Sequence, residues 1–112
     1  MTQVPSTTVA ELPAVLPEGV VLLDVREHHE WAAGHAPNAL HIPMGEIPGA
    51  LDAIPADAEL LVVCKAGGRS AQVVAYLSQA GRGAVNVDGG MMSWFAAGRA
   101  LVSDGVVEPY VV

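Results

Sequence analysis

Two stretches of the chain, residues 20–25 and 60–64, are apolar at consecutive rather than alternate positions, the first broken only by Asp24. A strand with one face in water alternates apolar and polar side chains, so a continuous run of this length marks a strand covered on both faces. Each run precedes a stretch that can form helix. Residues 27–33 allow about two turns before Gly34, and 70–80 carry Ala71, Val74, Ala75 and Ser78 at helical spacing before Gly81. Shorter strand signals stand at 39–42, stopped by Pro43, and at 84–87, where Gly89-Gly90 turns the chain into a helix over 91–97. This alternation implies an α/β fold with a mainly parallel sheet flanked by helices on both faces, and places any site outside the carboxyl ends of the strands. Two weaker signals remain. Thr8 and Glu11 have the spacing of a capping box at the start of a short helix, which Pro13 and Pro17 limit, and 47–54 is a weaker helix candidate with Pro48 in its first turn.

The chain's 112 residues suit one domain, 1–112, without repeat or linker, large enough to bury a core without disulfide or structural metal. With 52% hydrophobic but only 4% aromatic residues, that core must come mostly from Val, Leu, Ala and Ile. A net charge of −7 argues against nucleic acid and anionic membrane as partners, since both are polyanions, and no stretch is apolar for long enough to span a bilayer. A lone cysteine cannot form an internal disulfide, and residues 1–8 lack the charged start and apolar run of a secretion signal, so a reducing cytoplasm is the expected compartment.

That cysteine, Cys64, stands where the second buried strand gives way to a helix, in Val63-Cys64-Lys65-Ala66-Gly67-Gly68-Arg69-Ser70. Gly67 and Gly68 let the backbone curl so that N–H groups point at Cys64, and the following helix adds its positive end; both favour a thiolate over a thiol. The only lysine, Lys65, and Arg69 place two of the five basic residues within 64–70, where an anion would bind. A merely structural cysteine needs no such combination of N–H cradle, flanking cations and helix start.

The loop resembles that of the rhodanese family, which runs Cys, two residues, Gly, one residue, Arg, then Ser or Thr; Cys64, Gly67, Arg69 and Ser70 fit it. Asp24-Val25-Arg26-Glu27 with Glu30-Trp31 and Gly34-His35 is similar to the family's signature after its first buried strand, and Asp88-Gly89-Gly90 with Trp94 to its closing one. The likeness covers about residues 8–101. Ala36 and Asn38 depart from it in the turn after Gly34-His35, where Asn tolerates the left-handed conformation such a turn can need. The resemblance implies a five-stranded parallel sheet flanked by helices and a sulfurtransferase without a cofactor. Cys64 would take sulfane sulfur from thiosulfate or a similar small anionic donor, become a persulfide, and pass the sulfur to cyanide or a thiol. Arg69 would orient the donor's oxyanion or the loop, Lys65 would attract the donor, and Ala66, Gly67, Gly68 and Ser70 would complete the donor-binding loop. A persulfide carrier between protein donor and protein acceptor uses the same chemistry. A third reading is a cysteine-dependent phosphatase or arsenate reductase, whose related loop is longer.

Other polar residues read as support. An acid at a strand end, Asp24, and a pair spaced i, i+4, Arg26 and Glu30, more often hold neighbouring loops than perform chemistry. His28, His29, His35 and His41 match no zinc spacing, so no metal is expected. Trp31, Trp94 and Met91-Met92 read as packing. The tail 102–112 lies outside the resemblance.

Overall fold

A computed structural model describes residues 4–105 and 107–112. Five strands, β1 (Ser6–Thr8), β2 (Val20–Asp24), β3 (Leu40–His41), β4 (Glu59–Val63) and β5 (Val85–Asp88), form one sheet in the order β1-β5-β4-β2-β3. All its pairings are parallel, with Leu22 opposite Leu61, Leu61 opposite Val85 and Thr7 opposite Val87. Helix α1 (His28–Ala33) follows β2, α2 (Gly68–Gln79) follows β4, and α3 (Gly90–Ala96) follows β5.

The continuous apolar runs are explained by two cores, one on each face. Leu23, Leu60 and Val62 point to one side, where Val73, Val74 and Leu77 of α2 and Ile47 cover them. Their neighbours Leu22, Leu61 and Val63 point to the other, against Val87, Val9 and Met91 and Trp94 of α3. Each such side chain taken out of water contributes about 1.5–3 kcal/mol, so β4, with four of its five residues buried, anchors the domain. An apolar cavity of about 250 Å³ beside Trp94, Leu16 and Leu22 touches none of the loop residues.

The short helix expected after Thr8 forms as a 3₁₀ turn, Val9–Glu11, with its capping box: the Glu11 carboxylate accepts the Thr8 N–H at 3.1 Å. Two other local expectations are corrected. The helix expected over 47–54 is two 3₁₀ turns, Met44–Gly49 and Leu51–Ala53, because Ala50, at φ −125° and ψ 18°, leaves the helical region between them. Helix α2 begins at Gly68 rather than Ser70, so the loop after β4 is only four residues long.

The tail closes over α1. The Val102 N–H and C=O pair with His35, and the Tyr110 N–H donates to the Ala33 carbonyl at 3.0 Å. A Cβ on Gly34 would overlap the Tyr110 backbone, so the tail can lie there only against a glycine. No helix is long and apolar enough to cross a membrane among the described residues.

Candidate active site

The central strand β4 ends at Val63, and Cys64 follows it at the carboxyl edge of the sheet, with 1% of its surface exposed. The chain then curls through Gly67, whose φ of 114° is a left-handed conformation that costs a residue with a side chain about 1–2 kcal/mol. That curl turns the Gly67 N–H onto Cys64 Sγ at 3.1 Å, and the Ser70 hydroxyl, in the first turn of α2, donates to the same sulfur at 3.3 Å. Burial pushes the Cys64 thiol up, but hydrogen bonds from the Ser70 hydroxyl and from the backbone of Ser70, Gly67 and Ala66 outweigh it and bring the pKa below the ordinary thiol value. The sulfur thus sits where negative charge is stabilised and bulk water is excluded.

The second strand-to-helix turn holds the first. The Met91 and Met92 N–H groups, free at the start of α3, donate to the carbonyls of Cys64 and Lys65 at 2.8 and 3.0 Å. Gly90, at φ 58°, permits this approach: a Cβ there would overlap both carbonyls.

The charged residues singled out from the sequence divide into two pairs. Arg26 turns back to Asp24, with Nη2 on Oδ2 at 2.8 Å, and also donates to the Gly34 carbonyl, all out of contact with solvent. Glu30 does not join Arg26 as the i, i+4 spacing suggested; it accepts both terminal nitrogens of Arg69, at 2.7 and 2.9 Å. The Arg69 hydrogen bond, opposed by burial and aided by the Glu27 N–H, holds the Glu30 carboxyl at about 2, down from 4.5, and Glu30 in turn raises the Arg69 pKa. The guanidinium therefore ties the first turn of α2 to α1.

Arg82 and Arg99 are likewise committed, to the carbonyls of Pro55 and Ala58 and to those of Val9 and Leu12. Among the described residues, Lys65 is the one cation with neither an acidic partner nor a hydrogen-bonded carbonyl. Ala66 and Gly68 are exposed at the loop surface.

Asn86, buried on β5, is a site residue that sequence reasoning missed: its Nδ2 donates to the Gly67 carbonyl at 3.3 Å and to Asp88 Oδ1 at 2.8 Å. The only signal for it is a polar residue between Val85 and Val87 in a buried strand. The histidines are not gathered as ligands. His35 and His41 stack against Trp31, with ring centroids 3.6 and 4.6 Å away, and no three metal-binding side chains converge among the described residues.

The family model for the rhodanese-like domain matches residues 8–97. A sulfurtransferase of Allochromatium vinosum is 41% identical over 87 residues, which span 77% of this chain and 81% of that protein. The thiosulfate sulfurtransferase GlpE of Pseudomonas putida is 36% identical over 92 residues, 81% of this chain and 84% of its own length. The crystal structure of a rhodanese-related protein from Thermoplasma volcanium superposes with a TM-score of 0.81 at 35% identity, covering 88% of this chain and 97% of that one.

Proposed function

This chain belongs to the rhodanese-like domain family, and from that membership we propose that it transfers sulfane sulfur through a persulfide on Cys64. The observation that carries the reading is the buried Cys64 sulfur accepting the Gly67 N–H and the Ser70 hydroxyl, which favours an anion on that atom. The thiolate attacks the outer sulfur of thiosulfate, the donor in the name of the Pseudomonas relative. A bond forms between the two sulfurs as the bond to the sulfonate sulfur breaks, and sulfite leaves with the electron pair. Cyanide or a thiolate then attacks the outer sulfur of the persulfide and carries it away, restoring the Cys64 thiolate.

In this scheme the loop N–H groups hold the anionic sulfur, and Arg69, occupied by Glu30, fixes the loop rather than gripping the donor. Lys65, without such a partner, attracts the anionic donor. A lone nucleophilic cysteine suits a reducing compartment such as the cytoplasm, and residues 1–112 act as one domain. Exchange with protein donors and acceptors would use the same persulfide.

Loop size argues against phosphoryl transfer. Only four residues, 65–68, separate Cys64 from Arg69, whereas the related phosphatase loops place five there, enough for a ring of N–H groups around a phosphoryl group. Donors misplaced by about 1 Å can cost on the order of a hundredfold in rate, so the shorter ring should serve phosphate esters poorly. The test assays wild type and Cys64→Ser for thiocyanate release from thiosulfate and cyanide, and for release of phosphate from an aryl phosphate. Sulfur transfer lost in the variant, with little phosphate release by either, is expected. Transfer that survives in Cys64→Ser, or efficient Cys64-dependent phosphate release without transfer, overturns the reading.

A further inference from the structure

The Ser70 hydroxyl has one proton and two acceptors within reach: Cys64 Sγ at 3.3 Å and the Gly67 carbonyl at 3.2 Å. It can serve only one at a time. The Gly67 oxygen offers two lone pairs and has two other donors, the Ala71 N–H at 3.1 Å and Asn86 Nδ2 at 3.3 Å. When both are in place the carbonyl is saturated, and the hydroxyl proton has the sulfur as its remaining acceptor.

Asn86 can hold only one orientation. Its two Nδ2 protons go to the Gly67 carbonyl and to Asp88 Oδ1, and a turned amide would instead point its oxygen at both of these acceptors. The orientation is kept although it leaves Asn86 Oδ1 buried without a partner, at a desolvation cost that a purely space-filling side chain would avoid.

We propose that Asn86 is a positioning residue for the Cys64 sulfur: by occupying one lone pair of the Gly67 carbonyl, it reserves the Ser70 hydroxyl proton for the thiolate. The inference rests on the reading of Cys64 as a reacting thiolate. Asn86 then acts through Ser70 and touches neither sulfur nor donor. Without its amide, the hydroxyl proton divides between carbonyl and sulfur, and the thiolate loses part of one hydrogen bond.

Because Cys64 is the only cysteine, its titration can be followed in the whole chain by thiolate ultraviolet absorbance and by the pH dependence of iodoacetamide alkylation. Asn86→Ala should raise the titration point by about half a pH unit, and Ser70→Ala by about one. In the Ser70→Ala background, Asn86→Ala should add nothing, since the hydroxyl it acts through is gone. Lys65 within the loop, Arg69 on α2, Glu30 on α1, Glu27 just before it and Asp88 on β5 are the charged groups around the sulfur, and all are unchanged throughout this cycle.

Asp88→Ala, at an exposed position, provides a variant that leaves the strand's buried side chains alone. Loss of its negative charge alone would lower the titration point, so an upward shift there isolates the released amide. An Asn86→Ala shift that is absent, or equal in both backgrounds, overturns the proposal. If the wild-type thiol titrates low and Asn86→Ala leaves it unmoved, this inference fails while the sulfur-transfer reading stands. If it titrates as an ordinary cysteine but the cycle behaves as stated, the positioning role stands and the transfer reading loses its support.

Discussion

The turns after β4 and β5 lie side by side on neighbouring parallel strands, and each enters its helix through a left-handed glycine, Gly67 or Gly89. They direct their N–H groups to different ends. The first turns them inward onto a side chain, the Cys64 sulfur, whereas the second presents those of Met91 and Met92 to the carbonyls of Cys64 and Lys65. One turn holds an atom that can react, and the other holds that turn. The same local device, a strand, a left-handed glycine and a helix start, therefore builds either a site or its scaffold, depending on whether an acceptor side chain lies inside the curl.

The sharpest way to break the comparison is a methyl group in each turn. Gly90→Ala combines a left-handed residue with overlap on two carbonyls and should lower unfolding stability by about 3 kcal/mol, read from urea midpoints. Gly67→Ala meets only ordinary contacts, the nearest at 3.4 Å from the Gly89 nitrogen, and should cost about 1–2 kcal/mol while reducing sulfur transfer disproportionately. Equal losses of stability with equal losses of activity would mean that the two turns do not differ in role.

Arg69 and Lys65 divide the same way, between fixing and attracting. Arg69→Ala should lower kcat by about ten- to a hundredfold, because the loop loses its tie to α1. Lys65→Ala should leave kcat nearly intact and raise KM for thiosulfate by roughly threefold, an effect that added salt diminishes. Steady-state kinetics giving the reverse ranking would exchange their roles.

The smallest effect concerns acid. Glu30 is depressed to about 2 from 4.5, so its pairing stabilises the fold fully above about 4.5 and less as the pH falls towards 2. The stability difference between wild type and Glu30→Gln should be constant near neutrality and shrink across that window. A difference that grows with acid would contradict the assigned ion pair.

The strands that bury both faces are legible in the sequence because consecutive apolar residues have few other destinations, and the loop is legible because Cys64, Gly67, Arg69 and Ser70 stand close together in the chain. Strand β1 is not. Its residues, Ser6, Thr7 and Thr8, carry no hydrophobic pattern, and the sheet recruits them through backbone pairing with Asn86, Val87 and Asp88. Spacing also misled at Glu30, where an i, i+4 partner stood four residues back but the partner taken lies 39 residues ahead. Such long-range choices depend on how the fold brings α1 beside the first turn of α2, which no local pattern records. The tail is hidden for the same reason, since its place is set by bare backbone at Gly34.

The most direct measurement is the intact mass of the protein after exposure to thiosulfate and removal of excess reagent. Wild type should gain one sulfur atom, located on Cys64 by peptide fragmentation and released by cyanide, and Cys64→Ser should gain none. A wild type that stays unmodified, or a sulfur adduct that persists in Cys64→Ser, would contradict the persulfide on Cys64.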